Sequence, residues 1–122
     1  MIYSKRHLRI LVLFFTICTN QIFSTQVQLI TAHKKSNGVL LRIVTNSIVD
    51  IENIAGWKGQ ENWFYLTLNG AYLSPKALED LTITPPLLDI EITENNQSVQ
   101  IGYLFDQPIE DFEIFHSSAS RI

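Results

Sequence analysis

The residues best suited by type to chemistry in this sequence are aromatic. Trp57, Trp63 and Tyr65 lie around the short polar stretch KGQEN at 58–62. An indole offers an apolar face on which a sugar ring stacks, while nearby amides and carboxylates reach the hydroxyls at the ring edge. Gln60, Glu61 and Asn62 carry groups for that second task. The same rings also suit plain packing, against a second sheet or a loop, and the sequence leaves both uses open. Arg42 interrupts the apolar run VLLRIVT on the face shared by Leu40 and Val44. It is either an exposed cross-strand charge or an anchor for a ligand carboxylate, which a guanidinium grips through two parallel hydrogen bonds. Arg121 poses the same choice near the other end of the chain.

Acid–base and metal chemistry have little to work with. Beyond the N-terminal segment the histidines are His33, in a turn pattern, and His116, at a strand end. Neither pairs with another histidine at zinc spacing, and no H-E-x-x-H occurs. The acidic neighbours Glu79-Asp80 and Glu110-Asp111 read as solvated surface. The expectation is a protein that is not an enzyme, with no catalytic residue, no metal and no cofactor. Asn96-Gln97-Ser98 fits a glycosylation sequon but reads first as a turn.

The N-terminal residues have a different character. Lys5, Arg6 and Arg9 precede ILVLFFTIC, a run at 10–18 that is apolar except at Thr16, and TNQIFS follows, ending in the small residue Ser24. That layout is a secretory signal peptide over residues 1–24. The alternative is an uncleaved anchor, with Ile22 and Phe23 extending a run otherwise short of the ~20 residues that span a bilayer. Cys18, the only cysteine, follows Ile17 rather than a small residue, a poor lipoprotein pattern. Cleavage removes three of nine basic residues and none of twelve acidic ones, changing the formal charge from −3 to −6. That balance disfavours nucleic acid and anionic membrane surfaces as partners.

The elements that must position these residues read as strands. Apolar alternation or apolar runs mark 27–32, 39–45, 49–54, 63–68, 87–93, 99–105 and 109–115. Asn37-Gly38 is a hairpin signal, because both residues tolerate positive φ. In LSPKALEDL, Ser74 as N-cap and Pro75 at the first helical position predict one or two helical turns. Pro85 and Pro86 then break regularity. Shifting the chain by sixty lays Val27 on Leu87, Ile30 on Ile90, Val39 on Val99 and Ile43 on Tyr103. Strand order and turn spacing repeat although few identities do. The second copy stops where the first continues to a fourth strand, NWFYLTL.

Three segments, GVLLRIVTNSIVDIENI, NWFYLTLNGA and SVQIGYLFDQPIEDFEIFHSSASRI, carry a resemblance over residues 25–122 to the AMIN domain, the amidase N-terminal type of periplasmic β-domain also found in type IV pilus secretins. The resemblance implies an all-β fold: a small β-sandwich of two similar three- to four-stranded sheets, with one short helical turn between the halves and the last strand missing. It implies an exported, non-catalytic module of the periplasm or cell envelope that binds or targets to peptidoglycan, with no span left in the membrane after signal cleavage. The alternatives are a structural module pairing with a partner strand in an envelope assembly, with 99–105 at a sheet edge, and the N-terminal fragment of a longer envelope protein. On these expectations Trp57, Trp63 and Tyr65 are the candidate ligand-binding residues, and Arg42 and Arg121 candidate anchors for a muropeptide carboxylate.

Overall fold

Alternation of apolar and polar residues dictates two sheets with one apolar face each, and those faces meet. The computed structural model describes residues 8–17 and 25–119. The strands are β1 (Leu8–Ile17), β2 (Thr25–Lys35), β3 (Gly38–Thr45), β4 (Ile54–Lys58), β5 (Trp63–Asn69), β6 (Ala71–Leu73), β7 (Leu87–Asn95), β8 (Ser98–Phe105) and β9 (Ile109–Ala119). One five-stranded sheet has the order β6-β2-β3-β1-β9, and one four-stranded sheet the order β4-β5-β8-β7. The protein is a small β-sandwich. Val27, Ile30, Leu41 and Ile43 of the first sheet and Phe64, Leu66, Ile101 and Tyr103 of the second belong to one buried cluster. Phe64 meets Phe112 across the sandwich at 4.9 Å between ring centroids.

The sixty-residue offset is present in the pairing itself. In the β2–β3 hairpin Ile30 faces Ile43 and Ala32 faces Leu41; in the β7–β8 hairpin Ile90 faces Tyr103 and Ile92 faces Ile101. Both hairpins carry a bulge at the same place, between Val27 and Leu29 and between Leu87 and Asp89. Past the bulge, Asn46 N–H donates to Gln26 O at 3.1 Å, and Asp106 N–H donates to Pro86 O at 2.8 Å. The copies differ where chemistry forces it. Gln26 N–H donates to Asn46 Oδ1 at 2.8 Å, a bond that Pro86 has no N–H to make.

Several local expectations need correction. Residues 49–54 do not form a strand: Ile51–Asn53 is a 3₁₀ turn, and the strand begins at Ile54. The apolar alternation misleads because Ile51 is 64% exposed. Between the halves, residues 74–81 form successive hydrogen-bonded turns, including Ala77 N–H to Ser74 O at 3.0 Å and Glu79 N–H to Lys76 O at 3.1 Å. Ser74 Oγ accepts from Lys76 N–H at 3.2 Å, as an N-cap would. This segment lies along the free edge of β2, where Ile30 N–H donates to Ala77 O at 2.9 Å. The strand β8 is no edge; it lies between β5 and β7. Nor does Gly38 serve a left-handed turn, since the described residues with positive φ are Glu61, Gln97 and Gly70. Its missing side chain instead leaves room for the Arg9 carbonyl of the adjoining strand.

That adjoining strand is β1, the segment whose composition reads as the apolar run of a signal peptide. It lies between β3 and β9 and runs parallel to both. Leu8, Ile10, Val12 and Phe14 are buried in the common core. Leu11, Leu13 and Phe15 alternate to the outer face, where they are half-buried. Among the described residues no helix is long and apolar enough to cross a membrane.

Candidate functional site

The alternation of β5 puts Phe64, Leu66 and Leu68 in the core and sends Trp63, Tyr65 and Thr67 outward. The neighbouring strand β4 pairs antiparallel with it, setting Trp57 directly opposite Tyr65. The hairpin loop is tight: Gly59 N–H donates to Trp63 O at 2.8 Å and Trp63 N–H to Gln60 O at 3.2 Å. The turn is closed by Glu61 at φ 57, a left-handed conformation uncommon for a residue with a Cβ.

These constraints bring the three rings together. Tyr65 stacks on Trp57 at 5.5 Å with 25° between planes, and on Trp63 at 5.8 Å with 12° between planes. Tyr65 lies between two glycines. A Cβ on Gly102 would meet Tyr65 Cε1 at 3.0 Å and Trp63 Cζ3 at 3.3 Å, and a Cβ on Gly59 would meet the opposite edge of the Tyr65 ring. Trp57 remains 40% exposed, and Trp63 and Tyr65 are half-buried. The rings lie on the face away from the core, so they do not pack against the second sheet, while Tyr65 does pack against Gly59 of the hairpin loop. They pack on one another and on the two glycines, and they keep exposed surface.

Strand order adds neighbours that sequence reasoning missed. The row running through Trp57 and Tyr65 continues to Gly102 on β8 and Glu91 on β7, and the row from Trp63 continues to Leu104 and Asp89. The aromatic patch is thus bordered by two exposed carboxylates, with Thr67, Gln100 and Thr93 forming the next row. The alternation in LLDIEIT already groups Asp89 with Glu91, but which strand neighbours β8 is settled only by the fold. Gln60 and Glu61 are exposed beside the rings, and Asn62 is half-buried with its carbonyl accepting from Phe105 N–H at 3.0 Å.

Arg42 lies elsewhere. It sits on β3, on the outer face of the other sheet, with its guanidinium 5.3 Å from the centroid of the Phe15 ring. Sheets in a sandwich stack about 10 Å apart, so Arg42 and the aromatic patch face opposite sides and share no ligand. Arg121 lies outside the described residues. His33 Nε2 and Thr31 Oγ1 are 3.1 Å apart, and His116 donates through Nε2 to Val49 O at 3.1 Å while stacking on Phe14. Glu79, Asp80, Glu110 and Asp111 are exposed. Among the described residues no cluster of three His, Cys, Asp or Glu side chains is placed to hold a metal ion.

The chain matches no protein-family model, no curated protein and no solved structure at a significant level. The chemistry of the patch is therefore the guide to function. Stacked rings on the outer face of a sheet, with carboxylates, amides and hydroxyls on neighbouring strands, are groups of the kind that take up the apolar face and hydroxyl edge of a sugar.

Proposed function

We propose that this chain is a non-catalytic, exported cell-envelope module, similar in layout to the AMIN domain, that binds the glycan of peptidoglycan through the outer face of β4, β5 and β8. The observation that carries this reading is the stacked set Trp57–Tyr65–Trp63, held over Gly102 and Gly59 on a solvent-facing sheet. A sugar ring covers the exposed face of Trp57 with Gln60 at its acetamido group, and the next sugars of the glycan run across β5 and β8 to β7, about 14 Å away, where Asp89 and Glu91 accept from their hydroxyls. No bond is made or broken; binding holds the protein near the wall. The carboxylates at the patch favour a neutral or N-acetylated saccharide over an anionic one. Arg42, on the opposite sheet, plays no part in this contact.

The test is co-sedimentation of the folded chain with purified peptidoglycan, beside the Trp57→Ala and Trp63→Ala variants. The wild-type chain is expected in the pellet, and each variant is expected to bind about fivefold more weakly, the loss of roughly 1 kcal/mol of ring contact. Equal sedimentation of wild type, variants and a charge-matched unrelated β-protein would remove the proposal.

A further inference from the structure

The two sheets compare strand by strand. The order β7-β8-β5-β4 in one matches β2-β3-β1-β9 in the other, and the hairpins at its head share register and bulge at an offset of sixty. Each sheet therefore has one place between the inner hairpin strand and the strand that comes next in the chain order of its partner copy. In the four-stranded sheet that place holds β5, antiparallel to both neighbours. In the five-stranded sheet it holds β1, parallel to both neighbours. The same place is filled in opposite directions.

Beyond its direction, β1 enters the place irregularly at its first residues, although Ile10, Val12 and Phe14 are fully buried there. Its entry beside β3 depends on the absent side chain of Gly38, which faces the Arg9 carbonyl. Its register with β9 shifts at its first step, between Leu8 and Arg9. Its sequence has the layout of a leader that export removes. Without β1, β3 and β9 have no ladder between them, because each bonds to β1 and not to the other.

We propose that the place between β3 and β9 is a strand-acceptor site, that β1 is its internal occupant, and that release of β1 opens it to a strand from a partner polypeptide running antiparallel to both. The geometry specifies the partner's chemistry. Its inward positions carry large aliphatic or aromatic residues at every second position, as Ile10, Val12 and Phe14 do now and as Phe64, Leu66 and Leu68 do in the sister sheet. Its outward positions meet Leu40 and Arg42 on one side and Asp111 and Glu113 on the other. A basic residue belongs beside Asp111, where Arg9 now stands. In an antiparallel strand that residue is near the C-terminal end, because Asp111 lies near the start of β9. Main-chain bonds on both edges would supply affinity and the alternating side chains specificity.

The inference is independent of glycan binding and can fail or stand without it. The experiment uses the full chain with a site-specific protease sequence placed within residues 18–24, folded intact and then cut. A labelled synthetic peptide WFYLTLR, the β5 sequence with arginine in place of its last, outward-facing asparagine, is the probe. Exchange is read as release of the N-terminal fragment, which carries the chain's one cysteine, Cys18, when the cut follows it. Direction is read by cross-linking the C-terminal end of the probe to an Asp111→Cys variant. The expected result is fragment release matched by probe uptake, with the cross-link forming at Asp111→Cys and not at a cysteine near the end of β9. A scrambled peptide of the same composition is expected to release none. Retention of the fragment under excess probe would overturn the proposal. So would a cut chain that closes β3 directly onto β9, or that self-associates without taking up probe, since a second copy would then be the occupant.

Discussion

At the scale of single residues, one buried side-chain oxygen among the described residues is unsatisfied, that of Tyr103. Tyr103 is fully buried and its hydroxyl has no hydrogen-bond partner. Burial pushes its pKa well above the ordinary tyrosine value. Tyr103→Phe removes the orphaned group and is expected to stabilise the chain by about 1 kcal/mol, read as a rise of several degrees in Tm. The sign of the pH dependence follows from the same burial. The neutral form is favoured in the folded state, so the contribution is complete below the unfolded value near 10 and is lost as pH rises above it. Alkaline unfolding is expected to begin above about pH 10, and Tyr103→Phe to move its midpoint upward; an unchanged midpoint in a circular-dichroism titration would refute this. On the outer face, Gly102→Val introduces side-chain atoms where Tyr65 and Trp63 already stand at 3.0 and 3.3 Å. The rings must lift from the sheet. The expected outcome is a shifted tryptophan emission and weaker retention on peptidoglycan, with the β-sheet circular-dichroism signal unchanged.

At the scale of elements, β1 matters most. Four of its side chains lie in the core, and Phe14 also stacks on His116. In the intact chain Phe14→Ala is expected to cost about 3–5 kcal/mol, as for a buried aromatic truncated in a packed core. The outward-facing Leu13→Ala is expected to cost much less. Equal midpoints for both variants in urea would show that β1 contributes nothing to the fold. The hairpin of β4 and β5 is an element under local strain, since Glu61 adopts φ 57. Glu61→Gly relieves this, and a stability gain of about 1 kcal/mol, with the Trp57–Tyr65 stacking signal preserved in near-ultraviolet circular dichroism, is the expected result.

At the scale of the whole molecule, the two sheets do not depend equally on β1. The strands β7, β8, β5 and β4 form a continuous ladder without it, whereas β9 is held to its sheet only through β1. Amide exchange on the chain cut between β1 and β2, with the fragment removed, is therefore expected to show fast exchange along β9 and slower exchange at the centre of β8. Uniform protection across both sheets would contradict that dependence. The proposed aromatic binding face belongs to the four-stranded sheet of the sandwich, and the place held by β1 to the five-stranded one.

Much of the fold was legible because its signals are local. Alternation in WFYLTL separates core from surface without any knowledge of partners, and the sixty-residue offset, read from Ile30 with Ile90 and Val39 with Val99, reappears as matched register. The aromatic members of the candidate site were legible as a cluster because they are close in sequence, but the strand read at 49–54 left Trp57 in the loop, and its place on β4 opposite Tyr65 was not legible. The rest needed contacts distant in sequence. That Arg42 and the tryptophans face opposite sides depends on which sheet each strand joins. That Asp89, Glu91 and Gly102 border the rings depends on β7 and β8 following β5 in the sheet. That Gly38 yields to a strand rather than a turn depends on β1. The sequence by itself determined β2, β3, β5, β7, β8 and β9, their inner faces and the duplicated hairpins, but not β1, β4 or β6, because side-chain alternation and turn chemistry act within a few residues. Only the tertiary structure decided that an apolar run shaped like a leader fills the place β5 holds in the sister sheet, and in the opposite direction. Hydrophobic burial is non-directional, so any apolar strand of the right length can satisfy that place, and neither pairing partner nor direction is written in the run itself.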